Sequence, residues 1–138
     1  MSDLSAHHVG LTVSELDRAV QFYRDDLGFD VVSRFEVAGE EFSTAVDVEG
    51  ASGRFAHLDA SGIRLELVEY DPSGEETTAA LNQPGACHVA FGVDDVGAFV
   101  EGLPESVERQ SEPQTTASGT QLVFLRDPDG NRIEILEA

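Results

Sequence analysis

An internal repeat constrains the fold of this 138-residue chain more than any other feature. Residues 8–16 read His-Val-Gly-Leu-Thr-Val-Ser-Glu-Leu, and residues 88–96 read His-Val-Ala-Phe-Gly-Val-Asp-Asp-Val. Further along, Arg64-Leu65-Glu66-Leu67-Val68-Glu69 is echoed by Arg132-Ile133-Glu134-Ile135-Leu136-Glu137. Each half opens with a His and closes with a Glu, in the same order and at matching places in a strand pattern. Self-similarity of this kind marks one supersecondary unit used twice, so any fold must build both halves alike.

The local pattern predicts two copies of strand, helix and strands. In the first half Val9, Leu11 and Val13 alternate with His8, Gly10 and Thr12, the period of a half-buried strand. Ser14 is placed as a helix N-cap with Asp17 as its acidic partner in the first turn. Leu16, Ala19, Val20, Tyr23 and Leu27 then keep helical spacing up to Gly28, which is placed to end the helix. Residues 29–37, 53–59 and 63–70 read as strands, with Ala60-Ser61-Gly62 as a turn, whereas residues 38–50 admit strand, short helix or loop. In the second half Asp94 is placed to cap a helix with the stripe Val96, Phe99, Val100 and Leu103. Residues 121–125 and 131–137 flank Asp127-Pro128-Asp129-Gly130, a turn with Pro at its second position and Gly at its end. Residues 71–85 are rich in turn formers and polar residues and read as a linker. The expectation is one domain over residues 1–138, with module one at about 4–70, the linker at about 71–85 and module two at about 86–138.

Strand parity decides which side chains can meet. His8 and His88 lie opposite in parity to the apolar residues of the opening strands. Glu66 and Glu134 lie opposite to Leu65, Leu67, Ile133 and Ile135 in the closing strands. The helices need an apolar sheet face to pack on, which leaves both His and both Glu on the other face. Two imidazoles and two carboxylates there suit a divalent first-row metal with positions open to water or substrate. A closed structural zinc site would draw on thiolates, and Cys87 is the only cysteine. That count also excludes an intrachain disulfide, and Cys87, in an apolar stretch beside His88, is expected to be buried and structural. Two further residues are candidates for substrate binding. If the hairpin turns tightly at 59–62, His57 pairs with Arg64 on the face of Glu66, where the two could hold an anionic group. His7, Glu69 and Glu137 have the wrong parity for the metal; His7 is expected to be structural or exposed, and the two Glu to be charges at the rim.

Composition bounds the partners. Acidic residues number 27 against 8 basic ones, a formal charge of −19, and every basic residue is Arg. Such a surface repels nucleic acid and anionic membranes, so neither is expected as a partner. The acids are scattered rather than gathered in a tail, a surface like that of proteins from salt-accumulating halophiles. No apolar run reaches the roughly 18 residues of a membrane span, and the first residues lack the basic start and apolar stretch of a signal peptide. A cytoplasmic protein is expected.

Three blocks carry a family resemblance: His-His-Val-Gly-Leu-Thr-Val-Ser-Glu-Leu-Asp-Arg-Ala-Val-Gln-Phe-Tyr-Arg-Asp-Asp-Leu-Gly-Phe (7–29), Cys-His-Val-Ala-Phe-Gly-Val-Asp-Asp-Val (87–96) and Phe-Leu-Arg-Asp-Pro-Asp-Gly-Asn-Arg-Ile-Glu-Ile-Leu-Glu (124–137). They resemble the vicinal oxygen chelate superfamily, which includes glyoxalase I, methylmalonyl-CoA epimerase, fosfomycin-resistance transferases, extradiol dioxygenases and bleomycin-resistance proteins. The resemblance implies an α+β fold of two tandem βαβββ modules forming an incomplete barrel around a metal site, and in short members a homodimer. His8, Glu66, His88 and Glu134 match the four ligand positions in order, a set like that of glyoxalase I. Residues 38–62 and 104–118 show no clear match to glyoxalase I.

The resemblance implies one divalent metal per site (Ni, Co, Zn, Mn or Fe) and a lyase or isomerase of the glyoxalase type. Its substrate would be a small dicarbonyl, thiol adduct or hydroxy-ketone, reacting through a metal-stabilised enediolate with Glu134 or Glu66 moving the proton. An epimerase or an Fe(II) extradiol dioxygenase would use the same pocket for other chemistry, and a resistance-type binding protein would use it for none.

Overall fold

A computed structural model describes residues 3–77 and 80–138. The chain divides into two compact units, Met1–Glu75 and Glu76–Ala138, and each is a βαβββ module with its own open sheet; neither sheet closes into a barrel. The fold is therefore α+β. Among the described residues no helix is long and apolar enough to cross a membrane.

Module one runs β1 (Val9–Thr12), α1 (Leu16–Gln21), β2 (Asp30–Ala38), α2 (Glu40–Val46), β3 (Ser52–Asp59) and β4 (Arg64–Asp71), with strand order β1-β4-β3-β2. β1 pairs in parallel with β4, and β3 pairs antiparallel with both β4 and β2. The predicted alternation holds: Leu11, Val13, Leu58, Leu65 and Leu67 are buried together with Leu16, Ala19, Val20 and Tyr23 of the helical segment. The Leu and Val side chains among them each contribute about 1.5–3 kcal/mol on burial, which is why the helix lies on this face of the sheet. The helix does not continue as one regular α-helix to Leu27. After α1 it widens into a π-helical turn over Phe22–Asp26, with Leu27 N–H donating to the Phe22 carbonyl, and Gly28 then takes a left-handed conformation (φ 84°). Asp17, whose carboxyl is held below the usual carboxylate range by the Arg34 guanidinium it pairs with, links α1 to β2.

The start of α1 differs from the expected capping box. Its N-cap is Glu15, with no side-chain cap bond, and the Ser14 hydroxyl accepts from Arg18 instead. The Leu16 N–H is taken by Glu69 Oε1 at 2.7 Å, from β4. Glu69 is thus no rim charge: it shares the inward parity of Leu65 and Leu67 and reaches the helix terminus, where a carboxylate meets unpaired N–H groups and the positive end of the dipole. The ambiguous 38–50 segment contains α2, entered through Gly39 (φ 113°) and ended by Asp47 in the left-handed region (φ 57°).

Module two runs β5 (His88–Val93), α3 (Val96–Glu101), β6 (Glu108–Arg109), β7 (Gln114–Thr115), β8 (Gln121–Arg126) and β9 (Arg132–Glu137), with order β5-β9-β8-β6 and β7 also paired to β8. β6 and β7 together occupy the place that β2 takes in module one. Pro113 lies between them and has no N–H to give a ladder, so the edge strand is broken. The N-cap of α3 is Asp95 rather than Asp94, its carboxylate accepting from Ala98 N–H at 3.0 Å. Glu137 Oε2 accepts from Val96 N–H at 3.3 Å and so repeats the part of Glu69. Val89, Val96, Val100, Val107, Val123, Leu125, Ile133 and Ile135 are buried. In the β8–β9 turn the buried Asp127 carboxylate accepts from Asp129 N–H, Asn131 N–H and Asn131 Nδ2, and Gly130 has φ 85°.

Candidate metal centre

The face of each sheet away from the helix carries the His and Glu singled out by parity. In module one His8 immediately precedes β1, and Glu66 lies in β4 beside Gly10 in the parallel register. His8 Nε2 is 3.5 Å from Glu66 Oε1. Gly10 lies beside both: a Cβ there would sit 3.7 Å from Glu66 Oε1 and 3.9 Å from the His8 ring, in ordinary van der Waals contact. In module two His88 opens β5, Ala90 lies beside Glu134, and His88 Nε2 is 3.2 Å from Glu134 Oε1. Both carboxylates are half-buried and both imidazoles more open. The repeat is therefore chemical as well as topological. Each module sets one imidazole nitrogen against one carboxylate oxygen across its parallel strand pair.

His57 is where the predicted register changes. It faces Glu66 across the β3–β4 pair, not Arg64, and Arg64 faces Asp59. The hairpin is two residues longer in register than the tight turn assumed. It closes through Ala60 N–H to the Ile63 carbonyl, with Ser61 (φ 54°) and Gly62 (φ 110°) in left-handed conformations and Ser61 N–H donating to Asp59 Oδ1. A shift of two keeps parity, so His57 stays on the face of Glu66, and its Nε2 lies 2.7 Å from Glu66 Oε2. Arg64 is exposed at the hairpin end and forms no anion-binding pair with His57.

Other aromatic and titratable groups adjoin the module-one pair. His7 Nδ1 is 2.7 Å from His8 Nδ1, one ring donating and the other accepting, and His7 is exposed. The Phe35 ring meets His57 edge-on at 5.2 Å and stacks on Phe55 at 5.0 Å; Phe42 of α2 meets Phe55 and Tyr70 at 6.0 and 6.2 Å. Gly53 makes room for these rings, since a Cβ there would fall 2.7 Å from the Phe55 ring. The strand alternation of β2 and β3 carried this aromatic surface, yet sequence reasoning passed over it. Cys87, expected to be buried, is exposed and free, its Sγ 3.6 Å from the Gly85 carbonyl. It precedes β5, outside the sheet that would have buried it.

The donor set fits a divalent first-row cation. Without one, each imidazole nitrogen can share only a single proton with the carboxylate it faces. With one, nitrogen and carboxylate oxygen donors at this spacing can bind the same ion. In module one, possible donor atoms of His8, His57 and Glu66 all lie within 4.8 Å of one another.

A family model described as the Glyoxalase/Bleomycin resistance protein/Dioxygenase superfamily matches residues 5–135. A 2-epi-5-epi-valiolone epimerase from Actinomyces is 29% identical, over 96% of this chain and 79% of its own length. A lactoylglutathione lyase from Haemophilus influenzae is 30% identical, over 94% of this chain and 90% of its own. Among solved structures, a glyoxalase family protein from Bacillus cereus superposes with a TM-score of 0.84 at 24% identity, covering 99% of this chain and 95% of that one.

Proposed function

The chain belongs to the glyoxalase/bleomycin resistance protein/dioxygenase superfamily, and from that premise we propose that it is a metal-dependent lyase or isomerase of the lactoylglutathione lyase type. The observation that carries the reading is the recurrence of one His–Glu pair in both modules, His8 with Glu66 at 3.5 Å and His88 with Glu134 at 3.2 Å. Four unrelated surface residues have no reason to recur at equivalent strand positions with nitrogen set against oxygen each time.

In this reading His8 and Glu66 of module one and His88 and Glu134 of module two would be ligands of a divalent metal, which when bound would supply Lewis acidity toward substrate oxygen. The remaining chemistry belongs to the side chains. Glu134 or Glu66 takes the proton from the carbon beside a carbonyl and returns it to the neighbouring carbon. The hydroxyl proton passes to the former carbonyl oxygen as the carbon proton moves, so the two oxygens exchange their carbonyl and hydroxyl roles and no atom is gained or lost. A half-buried carboxylate suits both steps, because it is shielded from bulk water yet free to accept and release a proton. The substrate is a hydroxy-ketone, or a small dicarbonyl taken as its thiol adduct or hydrate, each of which brings the hydroxyl that the step requires. The protein acts as a homodimer, and its acidic surface argues against nucleic acid as a partner.

The similarity to an epimerase supports a second use of the same groups, with the proton removed from and returned to a single carbon. Metal analysis by mass spectrometry tests the common premise. Protein purified without chelator should carry about one divalent metal per proposed site, and Glu134→Ala should lose most of it. No metal in either protein after reconstitution would overturn the reading. Assay with the methylglyoxal–glutathione adduct then separates lyase-type isomerisation from epimerisation.

A further inference from the structure

The two modules differ at one position that the repeat makes directly comparable. Across the antiparallel pair next to each proposed ligand, the residue facing Glu66 is His57 and the residue facing Glu134 is Phe124. Both rings lie beside the opening histidine of their own module, with centroids 5.6 Å apart for His8 and His57 and 5.3 Å for His88 and Phe124. The architecture is the same, but only module one places a hydrogen-bonding side chain there.

We infer that His57 is a positioning residue that holds the Glu66 carboxylate in place, making the two carboxylates of the site inequivalent. The inference rests on the metal reading above. Glu66 divides its oxygens, with Oε1 toward His8 at 3.5 Å and Oε2 toward His57 at 2.7 Å. An ionised carboxylate only accepts, so His57 Nε2 carries the proton and donates it. His57 is 7% exposed, and the Phe35 ring packs edge-on against it. A buried donor on Oε2 leaves Oε1 aimed at His8, the arrangement in which surrounding hydrogen bonds align metal-binding carboxylates. Phe124 can give Glu134 no such bond, so the module-two carboxylate keeps freedom that the module-one carboxylate has lost.

Cobalt(II) binding to the metal-free protein tests this without relying on turnover. Wild type, His57→Phe (copying module two) and His57→Gln (keeping an N–H near the position of Nε2) would be titrated by calorimetry and visible absorption. His57→Phe is expected to weaken cobalt binding about 10- to 100-fold. His57→Gln should recover most of that loss, with the cobalt absorption bands of wild type retained. Should His57→Phe fail to fold, His57→Asn, whose amide stops short of Glu66 Oε2, takes its place and should show the same weakening. Unchanged affinity in the variants lacking the donor would overturn the inference while leaving the metal reading intact. Altered bands in His57→Gln would also overturn it, by making His57 a ligand rather than a support. No cobalt binding by wild type would instead remove the metal reading itself, and this inference with it.

Discussion

At the residue scale, the proposed chemistry turns on two carboxylates that share a strand position but not an environment. Glu66 lies between His8 and the buried His57, whereas Glu134 faces His88 and the apolar ring of Phe124. Replacing a carboxylate by its amide keeps size and one acceptor oxygen while removing the base. Glu134→Gln and Glu66→Gln are therefore expected to lower turnover of the methylglyoxal–glutathione adduct, by about 10²- to 10⁴-fold for whichever residue carries the proton. Steady-state rates at saturating metal report this, and full activity in both variants would exclude proton transfer by either. Gly10 and Ala90 occupy the register positions beside the two Glu.

At the element scale, α1 and α3 are short, and each receives an acceptor for its first free N–H from the last strand of its own module. Glu69 serves Leu16 at 2.7 Å and Glu137 serves Val96 at 3.3 Å. Glu69→Ala would strand a part-buried donor and remove a negative charge from the helix N-terminus. It is expected to destabilise the fold by about 1 kcal/mol, the usual cost of a lost cap. Glu137→Ala should cost less, because its bond is longer and Asp95 already caps α3 through Ala98 N–H. Denaturant midpoints at constant slope would measure both. Equal losses would argue that charge near the dipole, rather than the hydrogen bond, is the main contribution.

At the scale of the whole molecule, a formal charge of −19 dominates. Arg34 with Asp17, Arg24 with Asp25 and Arg126 with Glu108 offset some of it locally, but eight cations cannot neutralise 27 anions. Self-repulsion of this kind is long-ranged and weakens as the Debye length falls from about 10 Å at 0.1 M salt to about 3 Å at 1 M. The thermal midpoint is expected to rise across that range in potassium chloride, a salt chosen to screen charge without strongly changing apolar burial. A midpoint that stays level or falls would show that the surface charges are already balanced where they stand.

Alternation of apolar and polar residues made the strands and their faces legible in the sequence, because side chains in a strand alternate sides by local geometry alone. The same rule placed His8 with Glu66, and His88 with Glu134, on the sheet face turned from the helix of each module. The repeat of those patterns made both modules recognisable. Register was beyond its reach: a hairpin shifted by two residues keeps every side chain on its face. Whether His57 met Arg64 or Glu66 therefore depended on the left-handed backbone at Ser61 and Gly62. The partners of the helix termini were equally hidden, since Glu69 and Glu137 lie 53 and 41 residues from the N–H groups they accept. Local sterics act between chain neighbours and can be read along the chain. Contacts between distant segments depend on how loops close and how elements pack, which only the tertiary structure decides.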